Sequence, residues 1–355
     1  MTRPDFDLRP FAPELLPQVA GLLRYLWSAD VESNQRVFAW KYQDNPCLAS
    51  APGIVALLDG RVVGFRGYLV TSWSAAGSSD PIRILCPGDT CVDPSCRQWG
   101  LSVAMGKLAS RHFAAEFPLF LNTTTTRPSL PGYRKLGFLP LASKGYYSAY
   151  RFVDLVRYIR AYSRRPSPTS RVRYGEERDF AVTGDPRAEQ MATVARRQGE
   201  AWPGLQPLRT AELFHWRFRH PQRTYVFYYA YAGSELQGYV VLGLSPNLRR
   251  GYLLDFVDVD RVSVEALLRR ILDRHEMDIL SISTASLGST AIDWRSLGFK
   301  EAGLLRRLER RRTGELPLLV RPVAADFDER AWIVAGLDTR DIRNWQYREM
   351  VSDAF

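Results

Sequence analysis

The residues with the most chemistry to offer form one short run, Arg97-Gln98-Trp99-Gly100-Leu101-Ser102. It falls where an apolar strand, Ile82 to Val92, hands over to an amphipathic helix expected from Gly100 to Phe117. The first amides of a helix lack intrahelical acceptors, and the macrodipole puts partial positive charge on them, so such a turn holds anions, phosphate above all. Gly100 lets the backbone come close to a ligand, Ser102 is small enough to continue that approach, and Arg97 adds a full charge. A short glycine pattern recurs by chance in many turns, so its weight depends on its surroundings. Cys91 lies beside the turn and is a candidate nucleophile. No neighbouring histidine offers it a base, and a small apolar residue on a buried strand is the favoured reading.

The elements that must position this turn can be followed along the chain. Phe6 to Phe11 alternates as a short edge strand, and Pro13 to Trp27 sets Leu15, Leu16, Val19, Leu22, Leu23 and Leu26 on one helical face. A second helix is expected from about Asn34 to Tyr42, ending before Asn45-Pro46 because the residue before proline leaves the helical region. Gly53 to Gly60 and Arg61 to Val70 read as a hairpin about Asp59-Gly60, and Ser72 to Asp80, small and polar, as a loop. After the long helix come a β-branched strand, Leu119 to Thr126, and a short helix, Pro128 to Leu136, stopped at Gly137.

A chain of 355 residues suggests two domains, and 46% hydrophobic with 24% charged residues is the composition of a globular protein. No run approaches the ~20 apolar residues of a membrane span, and the first residues lack the apolar core of a signal peptide, so a cytoplasmic location is expected. Cys47, Cys86, Cys91 and Cys96 form no Cys-x-x-Cys pair and lie apart from His112, His215, His220 and His275, so reduced thiols and no metal site are expected. The net charge of +10 raises nucleic acid as a partner, but Lys41, Lys107, Lys135, Lys144 and Lys300 are the only lysines, and the arginine-dominated balance argues for something milder.

Two motifs in order carry a resemblance. Arg97-x-x-Gly100-x-Ser102 resembles the Arg/Gln-x-x-Gly-x-Gly/Ala signature with which the GNAT acetyltransferases hold the pyrophosphate of acetyl-CoA, departing from it at Ser102. Tyr133-Arg-Lys-Leu-Gly-Phe138 matches the Tyr-x-x-Leu-Gly-Phe that ends the same core. The likeness covers roughly residues 6 to 150. It implies an α/β (α+β) fold with a mixed, mostly antiparallel central sheet flanked by helices.

The pattern then returns. Phe38-Ala-Trp-Lys-Tyr42 is echoed by Phe214-His-Trp-Arg-Phe218, the Gly60 hairpin with Gly64-Phe65 by Gly233 with Gly238-Tyr239, and Tyr133-Arg-Lys-Leu-Gly-Phe138 by Trp294-Arg-Ser-Leu-Gly-Phe299. Asp255 to Leu268 passes from strand to helix with no Arg-x-x-Gly turn. The chain therefore reads as a tandem GNAT-like duplication: residues 1–150 catalytic, 151–172 a basic amphipathic segment with a Pro/Ser linker, 173–340 a degenerate copy, and 341–355 a tail. The amphipathic segment, Phe152 to Ser170, is expected to dock on the neighbouring domain rather than lie on a membrane. The tail holds a strand near Leu316 to Pro322, and its end, Arg343 to Phe355, is expected to be partly disordered.

The resemblance also implies roles. Amides from Arg97 through Gln98, Trp99, Gly100 and Leu101 to Ser102 would take the pyrophosphate, Val92 would give a backbone N–H to the thioester carbonyl, and Tyr133 would be the general acid. Asn122 and Thr126 would hydrogen-bond the pantetheine arm or merely line the strand end. Asp89, on the central strand, is the candidate base and otherwise a structural carboxylate; Asp93 competes, though Pro94 favours a turn role. Trp40 and Tyr42 would wall the acceptor pocket or fill the core. The arginines of Arg306 to Arg312 read first as a solvated face, then as an anionic-substrate or CoA-phosphate contact, and last as a nucleic-acid patch.

The expected function is an acyl-CoA-dependent N-acyltransferase, with acetyl-CoA as co-substrate and a small-molecule primary amine, an amino sugar among the candidates, as acceptor. A homodimer is left open. The alternatives are a CoA-binding assembly protein without turnover and an aminoacyl-tRNA-dependent transferase, for which the phosphate turn would be unnecessary.

Overall fold

The computed structural model describes residues 4–48, 51–76, 78, 80–143, 149–156, 171–200, 202–247, 249–257, 261–287, 290, 292–301 and 316–352. Two compact units emerge: residues 1–141 with 317–344, and 142–316 with 345–355. Each is a mixed, mostly antiparallel sheet flanked by helices, as the repeat implied.

In the first unit β1 (Asp7–Pro10), β2 (Gly53–Leu58), β3 (Arg61–Ser74) and β4 (Ile82–Pro87) run antiparallel, and β4 pairs in parallel with β6 (Leu119–Asn122). Asp59 and Gly60, at φ 51° and 75°, close the β2–β3 hairpin as expected from Asp-Gly. β3 runs to Ser74, past the expected end at Val70, because Thr71 to Trp73 are buried and keep pairing with β4. The two-residue β5 (Cys91–Val92) pairs with β3 beyond a break after Pro87, so the continuous strand expected from Ile82 to Val92 is interrupted.

Side chains alternate across β3. Phe65 packs with Leu15, Val19, Phe38 and Tyr42 of helices α1 (Leu16–Leu22) and α2 (Val31–Tyr42) and the turn before them. Gly64, Arg66 and Tyr68 face the other way, towards Met105, Ser102 and Phe113 at α3 (Leu101–His112). The short α4 (Leu130–Lys135) and β7 (Leu139–Ser143) follow, with Gly137 at φ 82° ending α4.

The two sheets complete each other's pattern through the chain order. β8 (Ala149–Phe152), next after β7, lies in the second sheet between β15 (Ile279–Ile282) and β16 (Lys300–Glu301). β17 (Pro317–Pro322), next after the second copy, lies in the first sheet between β6 and β7. The compact units therefore do not coincide with continuous stretches of the sequence. A strand's apolar pattern says that it pairs but not with which edge, so this exchange left no local trace.

The rest of the second unit comprises β9 (Gly175–Glu176), β10 (Phe180–Thr183), α5 (Ala188–Glu200), β11 (Gln206–Pro207), α6 (Ala211–Arg217), β12 (Thr224–Ala232), β13 (Glu235–Leu244), β14 (Arg250–Phe256) and α7 (Arg261–Asp273). Its core joins Val226, Leu242, Leu253, Phe256, Leu268 and Trp294. Arg343 to Phe355 is expected to be partly disordered, and its described residues, 343–352, are packed: Trp345, Tyr347, Met350 and Val351 are buried, and the Arg217 guanidinium donates to the carbonyls of Met350 and Ser352, both at 2.6 Å. Residues 157–170, most of the amphipathic segment and its linker, and 302–315, with the densest arginines, lie outside the described residues.

A fully buried ion pair holds the second sheet to its helix layer. Arg209, just before α6, grips Asp255 of β14 with two donors, Nε at 3.0 Å and Nη2 at 2.8 Å, while Tyr239 donates to the same carboxylate at 2.8 Å. Burial, and then the Asp255 charge, push the Tyr239 hydroxyl well above the usual tyrosine range. Arg209→Met strands that carboxylate and should lower unfolding stability by about 3–5 kcal/mol, with much of the loss recovered when Asp255→Leu is added. Urea denaturation of the three proteins measures both.

Candidate functional site

The break in the central strand makes the site. β4 and β6 pair at Leu85 and Phe120, and beyond Pro87 the chain steps out through Gly88, Asp89 and Thr90. Asp89 adopts φ 43°, a left-handed value uncommon for a non-glycine residue. β5 then resumes against β3, with Asp93 N–H on the Val63 carbonyl at 2.8 Å. That bond puts Val92 at a non-hydrogen-bonded position of the ladder, so its own N–H and C=O point to the edge remote from β3. Arg97 Nε donates to the Val92 carbonyl at 3.3 Å.

The turn follows at once. Asp93 caps the single turn Pro94–Cys96 by accepting from Ser95 N–H at 3.0 Å and Ser95 hydroxyl at 2.6 Å, and the Ser95 bonds hold its carboxyl below the usual range. Asp93 thus has the turn role that Pro94 suggested. Gln98 and Gly100 are both left-handed, at φ 76° and 73°, which bends successive amides toward a common concavity. Gly100 caps α3 without a side chain, and its carbonyl accepts from Val103 and Ala104 at 3.1 and 3.0 Å. The amides of Leu101 and Ser102, first in the helix, have no acceptor within it. Arg97, Gln98 and Gly100 are exposed, Trp99 and Ser102 half-buried, and Leu101 buried. A Cβ on Gly100 would meet open space, so glycine is required there by φ alone.

Asp89 is engaged on all sides. Trp27 Nε1 donates to it at 2.9 Å, and Lys41 Nζ and the Tyr42 hydroxyl both close on its other oxygen. Tyr42 reaches this far because Gly67 has no Cβ, which would stand 2.1 Å from the tyrosine oxygen. The second copy holds a counterpart. Asp89 precedes by two residues Cys91, the partner of Phe65, and Asp255 precedes by two Val257, which bonds Tyr239, the echo of Phe65. A copy without the phosphate turn thus keeps an aspartate and a buried cation at the equivalent place.

Tyr133 on α4 is buried at 6% exposure, edge-on to Phe138 with ring centroids 5.0 Å apart. Over its other side lies the Arg66 guanidinium, 4.9 Å from the ring centroid. Arg66 is itself buried; its Nε donates to the Tyr68 hydroxyl at 3.0 Å and its Nη1 to the Ser102 carbonyl at 3.3 Å. Burial pushes Tyr68 up to about 12 even against the neighbouring cation. Burial pulls Arg66 down, but the hydroxyls of Tyr133 and Tyr68 outweigh it and leave the guanidinium above its ordinary value. The sequence reading missed Arg66; the signal was a lone charge in the apolar run Val62 to Leu69.

At the end of β6, Asn122 is fully buried and its Oδ1 accepts from Thr124 N–H at 2.9 Å. Thr126 donates to Ser129 Oγ through both its N–H and its hydroxyl, at 2.9 and 3.0 Å, and so shapes the turn into α4. Trp40 is buried. Among the described residues no group of histidine, cysteine or acidic side chains is arranged for a metal ion, and no described helix is long and apolar enough to cross a membrane.

Cys91 donates to the Leu22 carbonyl at 3.3 Å, and burial pushes its thiol up to about 11. Its thiolate fraction near neutral pH falls about a hundredfold below that of a free cysteine. Iodoacetamide followed by peptide mass analysis should label Cys91 in unfolded protein and leave it unmodified in native protein over the same time.

No family model and no curated protein matches the sequence, so the likeness lies in structure. A GCN5-related N-acetyltransferase from Anabaena variabilis superposes with a TM-score of 0.60 at 13% identity over 90% of this chain and 73% of its own. A probable N-acyltransferase from Enterococcus faecalis gives 0.57 at 12% identity over 93% and 74%, and Eis1 from Mycobacterium abscessus 0.51 at 16% identity over 90% and 74%. With a parallel β4–β6 pair, an interrupted central strand and a repeat of the whole pattern, this chain is built from two tandem copies of the GCN5-related N-acetyltransferase fold.

Proposed function

We propose that the first unit transfers an acyl group, acetyl from acetyl-CoA, to the primary amine of a small molecule, an amino sugar being one candidate, and that the second unit is non-catalytic. One observation carries this reading: the doubly left-handed turn at the start of α3 adjoins the outward-facing amide of Val92, in the copy that also holds Tyr133. The second copy has neither the Arg-x-x-Gly turn nor the tyrosine, with Trp294 in its place.

On this reading the amides from Gly100 to Ser102, with Arg97, bind the pyrophosphate. The remote edge of β5 pairs with the pantetheine arm as a strand would, and Val92 N–H polarises the thioester carbonyl. Amine attack forms the C–N bond, the C–S bond breaks with its electron pair going to sulfur, and Tyr133 gives that sulfur its proton. With Asp89 committed to Trp27, Lys41 and Tyr42, the amine's proton leaves through water. The same commitment favours a second reading, in which the unit binds CoA without turnover.

Calorimetry and a free-thiol assay distinguish these. Wild type should bind acetyl-CoA, and Gly100→Asp, which sets a carboxylate on the phosphate turn, should weaken binding about a hundredfold or more. A panel of amino sugars and polyamines should yield thiol release with at least one; binding with no release from any supports the second reading. No binding by wild type removes both. Tyr133→Phe should cut turnover by about 10²–10³ with CoA affinity unchanged, and unchanged turnover would remove Tyr133 as the acid.

A further inference from the structure

Arg66 carries a charge that the fold leaves unbalanced. The side chain is 4% exposed, and among the described residues no carboxylate pairs with it. Its bonds go to a neutral hydroxyl and a backbone carbonyl, and its flat face lies on the Tyr133 ring. Buried charges in proteins are ordinarily paired, because an isolated one forfeits its hydration without a Coulombic return. The contrast within this unit is sharp. Lys41, equally buried, has Asp89, while Arg66, one strand face away, has uncharged oxygens of tyrosine and backbone instead of a carboxylate. Arginine suits such a place, since its delocalised charge is weakly hydrated and stacks on rings.

We infer that Arg66 is the countercharge for the anion released in transfer, acting through Tyr133: the guanidinium stabilises negative charge shared between the departing sulfur and the tyrosine oxygen. This rests on the acyl-transfer reading above. The bookkeeping is closed. The C–S electron pair goes to sulfur, the Tyr133 proton follows it, and the tyrosinate regains a proton from water; Arg66 keeps its own protons throughout. The position is fixed from three elements: β3 carries the residue, the Ser102 carbonyl in the first turn of α3 orients one arm, and α4 supplies the ring. The titratable and charged groups facing it are Tyr68 on its own strand and Tyr133 on α4, with Arg321 of β17 facing Tyr68. Arg66 is therefore a positioning residue with an electrostatic task, and its loss should weaken the chemical step more than donor binding.

Two readouts test this on the full-length protein. In steady-state kinetics Arg66→Gln should lower kcat about a hundredfold while KM for acetyl-CoA moves less than about threefold, and adding it to Tyr133→Phe should cost far less than it does in wild type. Independently of turnover, the thiol of bound CoA, followed by the ultraviolet absorbance of its thiolate, should ionise about one pH unit lower on wild type than on Arg66→Gln. Arg66→Lys, which keeps the charge, should retain the low ionisation pH and at least about a tenth of kcat; Arg66→Met replaces the glutamine variant if thermal melting shows that one unfolded. Equal ionisation on wild type and the neutral variant, or a full Arg66 effect persisting without the Tyr133 hydroxyl, overturns the inference while leaving acyl transfer standing. Failure of wild type to bind CoA at all removes the acyl-transfer reading instead.

Discussion

A half-buried aspartate in the break of the central strand, neutralised by a buried lysine brought from the helix layer, is the interaction on which the rest depends. At Asp89 the chain leaves the sheet in a left-handed conformation that costs of order 1–3 kcal/mol and persists only where its surroundings over-determine it. Trp27, Lys41 and Tyr42 supply that determination from three points of the α1–α2 layer. The consequence is geometric. With Asp89 pinned, β5 re-enters against β3 in one register only, and that register decides that the Val92 amide faces outward and that the turn begins where α3 can cap it. Removing either partner would leave the other charge buried, which makes the pair a strict requirement rather than a source of net stability.

Much of this was legible in the sequence and part was not, for physical reasons. The Asp59-Gly60 hairpin, the Gly100 turn and the Gly137 stop were readable because each is a local backbone demand met by one residue type. The position of β17 was not, because pairing between Leu121 and Val320 is set across nearly two hundred residues, and nothing local names the partner. The tail looked disordered because Trp345, Tyr347, Met350 and Val351 follow neither helical nor strand periodicity; their order comes from a packed surface and the Arg217 fork. The role of Asp89 was open because a carboxylate on a strand is the same letter whether it meets substrate or lysine.

The two copies separate what the fold needs from what the chemistry needs. Asp89 and Asp255 occupy equivalent places and both meet a buried cation, yet the cations come from different positions, Lys41 within α2 and Arg209 just before α6. A charge pair retained while its donor changes is what a packing requirement would produce. The turn and the tyrosine behave oppositely: they occur in one copy and are replaced wholesale in the other, where Trp294 packs against Phe256 and Phe299 as a plain core aromatic. The second copy therefore serves as an internal control, folded by the same rules with the candidate chemistry removed.

Why a copy without those groups would be kept follows from the strand exchange. The first sheet is finished by β17, whose residues are made only after the whole second copy, and β17 is tied in by Arg321, which donates to Ser110 of α3 at 2.7 Å and to the Ala324 carbonyl at 3.0 Å. β17 in turn pairs with β6 from Leu119 to Asn122, the strand that flanks the interrupted side of β4. Without β17 that strand would expose a row of unpaired amides and carbonyls beside the candidate site, and the site's wall would lose its backing. β8 does the same service in the second sheet. Neither sheet is completed by one continuous stretch of the chain, so the residues that follow the second copy give the first sheet a strand it needs, a structural reason for the duplication that does not depend on a reaction in the second copy.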